Sequence, residues 1–235
     1  MKSEVTHRPD YFNGVNRIVM MGDSITESGD PDGYVAMVRA AVCQLGENTA
    51  IEVINAGTSG NKSNDMLHRL AEDVLAHHPQ ILTLSVGIND VWHGYDRSHP
   101  DGDGPAGISL GDYTRYVTEI VEQTCKAHIK VILLSPTIIT ESPDDPQNRK
   151  LRAYVESEKQ IAAKYGCKFI NLHEIFLEGL RLIKKQASEH ELCFTTDGVH
   201  LNHAGNVLMA NAVLNELGIM DGNFAHGSGT ATPVV

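Results

Sequence analysis

A serine that closes an apolar run is the first residue in this chain with the means to do chemistry. The run Ile18 to Met21 stops at Gly22-Asp23-Ser24, just ahead of a long amphipathic segment. Far along the chain, in "TTDGVHLNHAGN", Asp197 stands three residues before His200. Acyl transfer needs a nucleophile, a base, an orienter for that base and donors for the oxyanion. Ser24 offers the hydroxyl and His200 the base. Asp197 offers a carboxylate that can fix the tautomer of the ring. The backbone N–H groups of Ser24 and Gly57 and the side-chain amide of Asn89 are the candidate oxyanion donors. Glycine at position 57 would let the backbone approach a substrate closely. Each residue also has a plainer use: Ser24 as a helix cap, Gly57 in a turn, Asn89 in an Asx turn, His200 as a cap or packing group. What favours chemistry is that one cleft would gather all of them.

The elements that must do this gathering are short apolar runs alternating with longer amphipathic ones. Periodicity predicts strands over 17–22, 51–57, 81–87, 130–136 and 167–172. Helices are predicted over 34–46, 63–78, 112–128, 147–166 and 203–218, with Gly46 stopping the first and Ser63 or Asn64 capping the second. Continuous apolar strands alternating with helices imply a parallel sheet covered on both faces, joined by right-handed crossovers. In such sheets ligands bind beyond the carboxyl ends of the strands. Ser24, Gly57 and Asn89 come after the first three strands there, and Asp197 and His200 precede the last helix. The stretch from Tyr95 to Asp112, rich in Gly, Pro and Asp, reads as a long functional loop. A single domain spans 1–218, and 219–235 reads as a poorly ordered tail.

Composition narrows the partners. With 235 residues, 41% hydrophobic and 21% charged, the chain is an ordinary soluble domain. Its net charge of −11 argues against nucleic acid and anionic membrane surfaces, which select basic patches. No apolar run is long enough for membrane insertion, and "MKSEVTHRPDYF" is no secretory signal, so a cytoplasmic address is expected. Cys43, Cys125, Cys167 and Cys193 are too scattered for a zinc site or redox dithiol. His200 and His203 have ligand-like spacing, but no carboxylate cluster accompanies them. "HPDGDG" lacks the full calcium-loop pattern and reads as a flexible loop. No metal and no cofactor are expected.

Four blocks, "GDSIT" with Ser24, "NAGTSGN" with Gly57, "GIND" with Asn89 and "DGVH" with His200, resemble the SGNH hydrolases, also called the GDSL esterase/lipase family. Ile25 stands where the GDSL name has leucine. The resemblance implies a flavodoxin-like three-layer α/β/α sandwich with a five-stranded parallel sheet, and a serine esterase that needs no cofactor. No G-x-S-x-G motif is present, unlike the common α/β-hydrolases. "GINDVWHGYD", "SPTIITESPDDPQNRK" and "DGVHLNHAGNVLMANAVL" are similar to the intracellular acetylxylan esterases of the family. That likeness implies a small acylated sugar or other small ester as substrate, and self-association into a homo-oligomer. Trp92 would wall the pocket or stack on a sugar, with Asp23 beside the substrate; neither Asp23 nor Asp90 is read as catalytic. A lysophospholipase or thioesterase on the same scaffold is the nearest alternative. A metal-dependent phosphoesterase and a non-catalytic binding module are the others. If His200 is the base, kcat/KM should rise with one deprotonation at about pH 6–7.

Overall fold

Ile18, Val19, Met20 and Met21 are all fully buried, as a strand covered on both faces requires. At roughly 1.5–3 kcal/mol per buried large apolar side chain, these four contribute on the scale of a whole domain's net stability, about 5–15 kcal/mol. The end of this strand is therefore firmly fixed, and with it the position of the turn that carries Ser24.

The computed structural model describes residues 10–43, 50–183 and 192–219. After a 3-10 turn at Asp10–Phe12, the first half of the chain runs through β1 (Arg17–Gly22), α1 (Ser24–Glu27), α2 (Tyr34–Cys43), β2 (Glu52–Gly57), α3 (Ser63–Asp73), β3 (Ile81–Ser85) and α4 (Ile88–Trp92). The second half runs through α5 (Leu110–Lys126), β4 (Lys130–Leu134), α6 (Pro146–Tyr165), β5 (Lys168–Ile170), α7 (Leu172–Ile183) and α8 (His203–Glu216). All strand pairs are parallel, in the order β2-β1-β3-β4-β5. Helices α2, α7 and α8 pack together as one layer, and α3, α5 and α6 as the other. The expected three-layer sandwich is thus present. Because β1 lies between β2 and β3, the chain diverges at the β1/β3 boundary, the switch point where doubly wound sheets open a crevice. Ser24 lies there just past β1, and Asn89 just past β3.

Several boundaries differ from expectation for local reasons. Ser109 caps α5, its hydroxyl accepting from Asp112 N at 3.2 Å, so the helix starts at Leu110. Neither Ser63 nor Asn64 caps α3; the cap is Lys62, whose N–H donates to Asp65 at 2.9 Å. Ser63 is drawn instead to a buried carboxylate, Asp90. Helix α3 stops at Asp73, and a separate 3-10 turn, Leu75–His77, completes the segment expected as one helix. Leu172–Ile183, unassigned from sequence, is a helix that buries Leu172, Phe176, Leu177 and Leu180. Gly46, expected to stop α2, lies outside the described residues, as does the tail beyond Ile219. Ile219 itself packs against the core, so the fold extends one residue past the expected boundary.

The segment between α4 and α5, which includes the "HPDGDG" stretch expected to be a flexible loop, is tied together by backbone hydrogen bonds. Gly104 N donates to Gly94 O at 2.9 Å and Ile108 N to Asp90 O at 2.9 Å. A Cβ on Gly94 would lie 2.5 Å from Gly102 O, and one on Gly107 would lie 2.8 Å from Gly94 Cα. Lys62 Nζ adds a bond to Ala106 O at 3.0 Å. Backbone is stacked on backbone here, and only glycine permits that approach.

Candidate active site

Ser24 opens the one-turn helix α1. Asp23 precedes it as the cap, its Oδ1 accepting from Ile25 N at 3.0 Å. Ser24 Oγ lies 3.0 Å from His200 Nε2. On the far side of the ring, His200 Nδ1 lies 2.7 Å from Asp197 Oδ2. With a carboxylate facing Nδ1, the neutral ring carries its proton there, which leaves Nε2 to accept from the serine hydroxyl. Residues 176 positions apart in the sequence, Ser24 and His200, therefore meet in one relay.

The turn holding Asp197 and His200 is built around the aspartate. Its Oδ1 accepts from Val199 N at 3.0 Å and His200 N at 2.8 Å. Gly198 between them has φ +99°, a conformation that disfavours any side chain. Burial pushes the Asp197 carboxyl up, but hydrogen bonds from the His200 ring and from the His200 and Val199 N–H groups outweigh it and hold it at about 2.

Candidate oxyanion donors gather at the same edge. Asn89, 3% exposed, donates one amide hydrogen to Asn61 O at 3.1 Å. Among the described residues its other amide hydrogen and the Ser24 backbone N–H are not hydrogen-bonded. Gly57 does not join them. Its N–H is taken by Asn55 Oδ1 at 2.9 Å, and the residue is the last of β2, paired with Gly22. Its lack of a side chain serves packing rather than substrate: a Cβ would lie 2.1 Å from Glu27 N in α1. The glycine that faces open space is Gly60, at φ +76° in the turn just before Asn61. Its N–H is not hydrogen-bonded among the described residues. Both glycines lie in "NAGTSGN", but only Gly60 lies beyond the strand end, and that was the available signal.

Asp23 is also displaced from its expected place. Its buried carboxylate is engaged as the cap of α1, accepting from Ile25 N, rather than standing beside a substrate. Asp90, 1% exposed, accepts from Ser63 N at 3.1 Å and from the Ser63 hydroxyl. Burial pushes both carboxyls up to about 6, and the negative charge of Asp90 adds to the effect at Asp23.

Trp92 lies edge-on to the His200 ring, with centroids 6.3 Å apart, and against His93 at 5.9 Å. His203 is exposed at the start of α8. Among the described residues no group of three or more His, Cys, Asp or Glu side chains is arranged to hold a metal ion. No described helix is long and apolar enough to cross a membrane.

Residues 20–208 match the GDSL-like lipase/acylhydrolase family, most of the chain and all of the relay. The chain belongs to that family. Among its relatives is the acetylxylan esterase of Geobacillus stearothermophilus, 30% identical over 214 residues, covering 86% of this chain and 94% of the relative. A structure of that enzyme superposes with a TM-score of 0.74 at 29% identity. An α/β hydrolase from the metagenome of Lake Arreo, Spain, superposes at 0.76, with 26% identity over 88% of this chain and 96% of its own. An acetyl xylan esterase, AlAXEase, superposes at 0.75, with 27% identity over 85% and 98%. Structures of the Geobacillus enzyme include catalytic mutants in which a serine, an aspartate and a histidine three residues beyond it are each replaced by alanine. As a GDSL-family member with these relatives, the protein is a carboxylic ester hydrolase.

Proposed function

We propose that the protein is a serine esterase that removes acetyl groups from xylo-oligosaccharides or similar sugars through an acyl-enzyme on Ser24. The observation that carries the mechanism is the unbroken relay Ser24–His200–Asp197, with contacts of 3.0 and 2.7 Å. His200 Nε2 takes the serine proton as Oγ attacks the ester carbonyl. The developing oxyanion is met by the Ser24 and Gly60 N–H groups and the Asn89 amide; one such donor is typically worth about 3 kcal/mol. Collapse expels the sugar oxygen, which takes the proton back from His200. Water then attacks the acyl-enzyme with His200 again as base, and acetate leaves. The aspartate–histidine spacing shared with the Geobacillus enzyme supports these roles, and that enzyme's name supports the substrate. Trp92 beside the base would stack on a sugar ring. One catalytic domain, a cytoplasmic address and self-association complete the reading; light scattering on the purified protein tests the last.

A p-nitrophenyl ester series from acetate to decanoate tests the acyl preference, with acetylated xylo-oligosaccharide alongside. Acetate should be best, with kcat/KM falling about tenfold or more by hexanoate, because a pocket sized for a methyl group rejects added methylenes. Acetate should also be released from the sugar. A long-chain optimum would turn the reading to a lysophospholipase or thioesterase.

A further inference from the structure

Among the described residues the loop that carries Asp197 and His200 has no strand or helix of its own, but a single antiparallel bridge from Thr195 to Leu201 and the bonds of Asn202 to Cys193 O and Thr195 O. It covers Leu192 to Asn202 ahead of α8, yet a triad needs its base fixed within a fraction of an ångström. A buried carboxylate from a distant segment ties this loop to the rest of the fold. Glu141 is 5% exposed. Its Oε2 accepts from Cys193 N at 2.6 Å. Its Oε1 accepts from Phe194 N at 2.7 Å and from Thr195 N and Oγ1, both at 2.8 Å. The effect passes directly towards the catalytic turn, because Thr195 Oγ1 in turn accepts from Gly198 N at 3.1 Å, between Asp197 and His200. Thr140, the neighbour of Glu141, donates its N–H to Gly198 O at 2.8 Å. The clamp is itself anchored. Asn148 of α6, fully buried, accepts from Ile139 N at 2.9 Å and donates to Thr140 O at 3.2 Å and Ser142 O at 2.8 Å.

We infer that Glu141 is a positioning residue for catalysis, an ionised buried clamp that sets His200 against Ser24 through Thr195 and Gly198. The inference rests on the serine-esterase reading above. Burial alone would push the Glu141 carboxyl up; the surrounding donors reverse that and lower it, so the group is charged where the enzyme works. A neutral amide cannot replace it. Both carboxylate oxygens receive N–H donors, so however the amide of a glutamine is turned, its NH2 group faces at least one of them.

Glu141→Gln, Thr195→Val and Ser24→Ala are assayed on p-nitrophenyl acetate, with near-ultraviolet circular dichroism to establish folding. Glu141→Gln should lower kcat by about 10- to 100-fold, with KM changed less than about twofold, the signature of a misplaced base rather than a lost binding contact. Inactivation by a serine-reactive phosphonate should slow by the same factor. Thr195→Val, which removes the two hydrogen bonds of Thr195 Oγ1 but leaves Glu141 its backbone donors, should show a smaller loss of the same kind. Wild-type kcat in folded Glu141→Gln overturns the proposal. If that variant does not fold, Thr195→Val decides: a loss confined to kcat supports the clamp, and an unchanged kcat overturns it. Full activity in Ser24→Ala would instead bring down the serine mechanism, and the proposal with it.

Discussion

Ser24→Ala should lower kcat/KM by about 10⁴-fold or more on any ester, while leaving the protein folded. In the proposed mechanism the hydroxyl oxygen is the atom that becomes bonded to the acyl group, and alanine offers no replacement. What survives is the modest acceleration that oxyanion donors and binding supply to direct attack by water. Stability should change little, because the cap of α1 is the Asp23-to-Ile25 hydrogen bond, which the substitution leaves alone. The variant should also resist a phosphonate that labels the wild type one to one. Activity near wild type would mean that the relay is a structural hydrogen bond and that the chemistry lies elsewhere.

Asp197→Asn should cost about 10³- to 10⁴-fold in kcat with KM nearly unchanged. The turn should persist, since an asparagine oxygen can still accept from Val199 N and His200 N. The second position is what changes. An NH2 group in place of Oδ2 now donates to Nδ1, so the ring proton moves to Nε2. Nε2 then points a hydrogen at Ser24 and cannot take one. Steady-state kinetics with a crystal structure of the variant would separate this tautomer effect from collapse of the turn. The wild-type carboxylate also has a consequence for acid stability. Its folded value, about 2, lies below that of the unfolded chain. Its contribution to stability is therefore complete above about pH 4 and is lost as the pH falls towards 2. A loss of kcat below tenfold would remove Asp197 from the mechanism.

Much of this was readable from residue order. Strand β1 matched its predicted limits because four consecutive large apolar side chains ending at glycine leave little choice. Ser24, Asn89, Asp197 and His200 stand out as candidates because chemistry restricts which residue types can act, and a parallel sheet restricts where they gather. The misses share a cause: they depend on what a residue faces. Gly57 and Gly60 are alike in sequence and differ only in that one backs α1 and the other faces open space. Asp23 beside a nucleophile reads like a substrate ligand until its burial is known. Ser63 looks like a cap, but Asp90, distant in sequence, competes for its hydroxyl. Glu141 carries no local signal at all, since its partners lie more than fifty residues away. Helix α7 is the exception, because the spacing of Leu172, Phe176 and Leu180 is plainly helical.

The glycine-packed segment between α4 and α5 bears on how this stretch of the protein can vary. Gly94, Gly102 and Gly104 are buried, while Arg97, Ser98, Asp103, Pro105 and Ala106 between and beside them are exposed. Point mutation is thus free to redecorate the outside of the segment but cannot reshape its course, because a methyl group at the buried positions collides with backbone or with the Tyr95 ring. A laboratory library that randomised the whole segment would lose most members to misfolding. One restricted to the exposed positions would keep nearly all of them. A new course for the segment should therefore arrive by insertion or deletion within it rather than by gradual substitution along it.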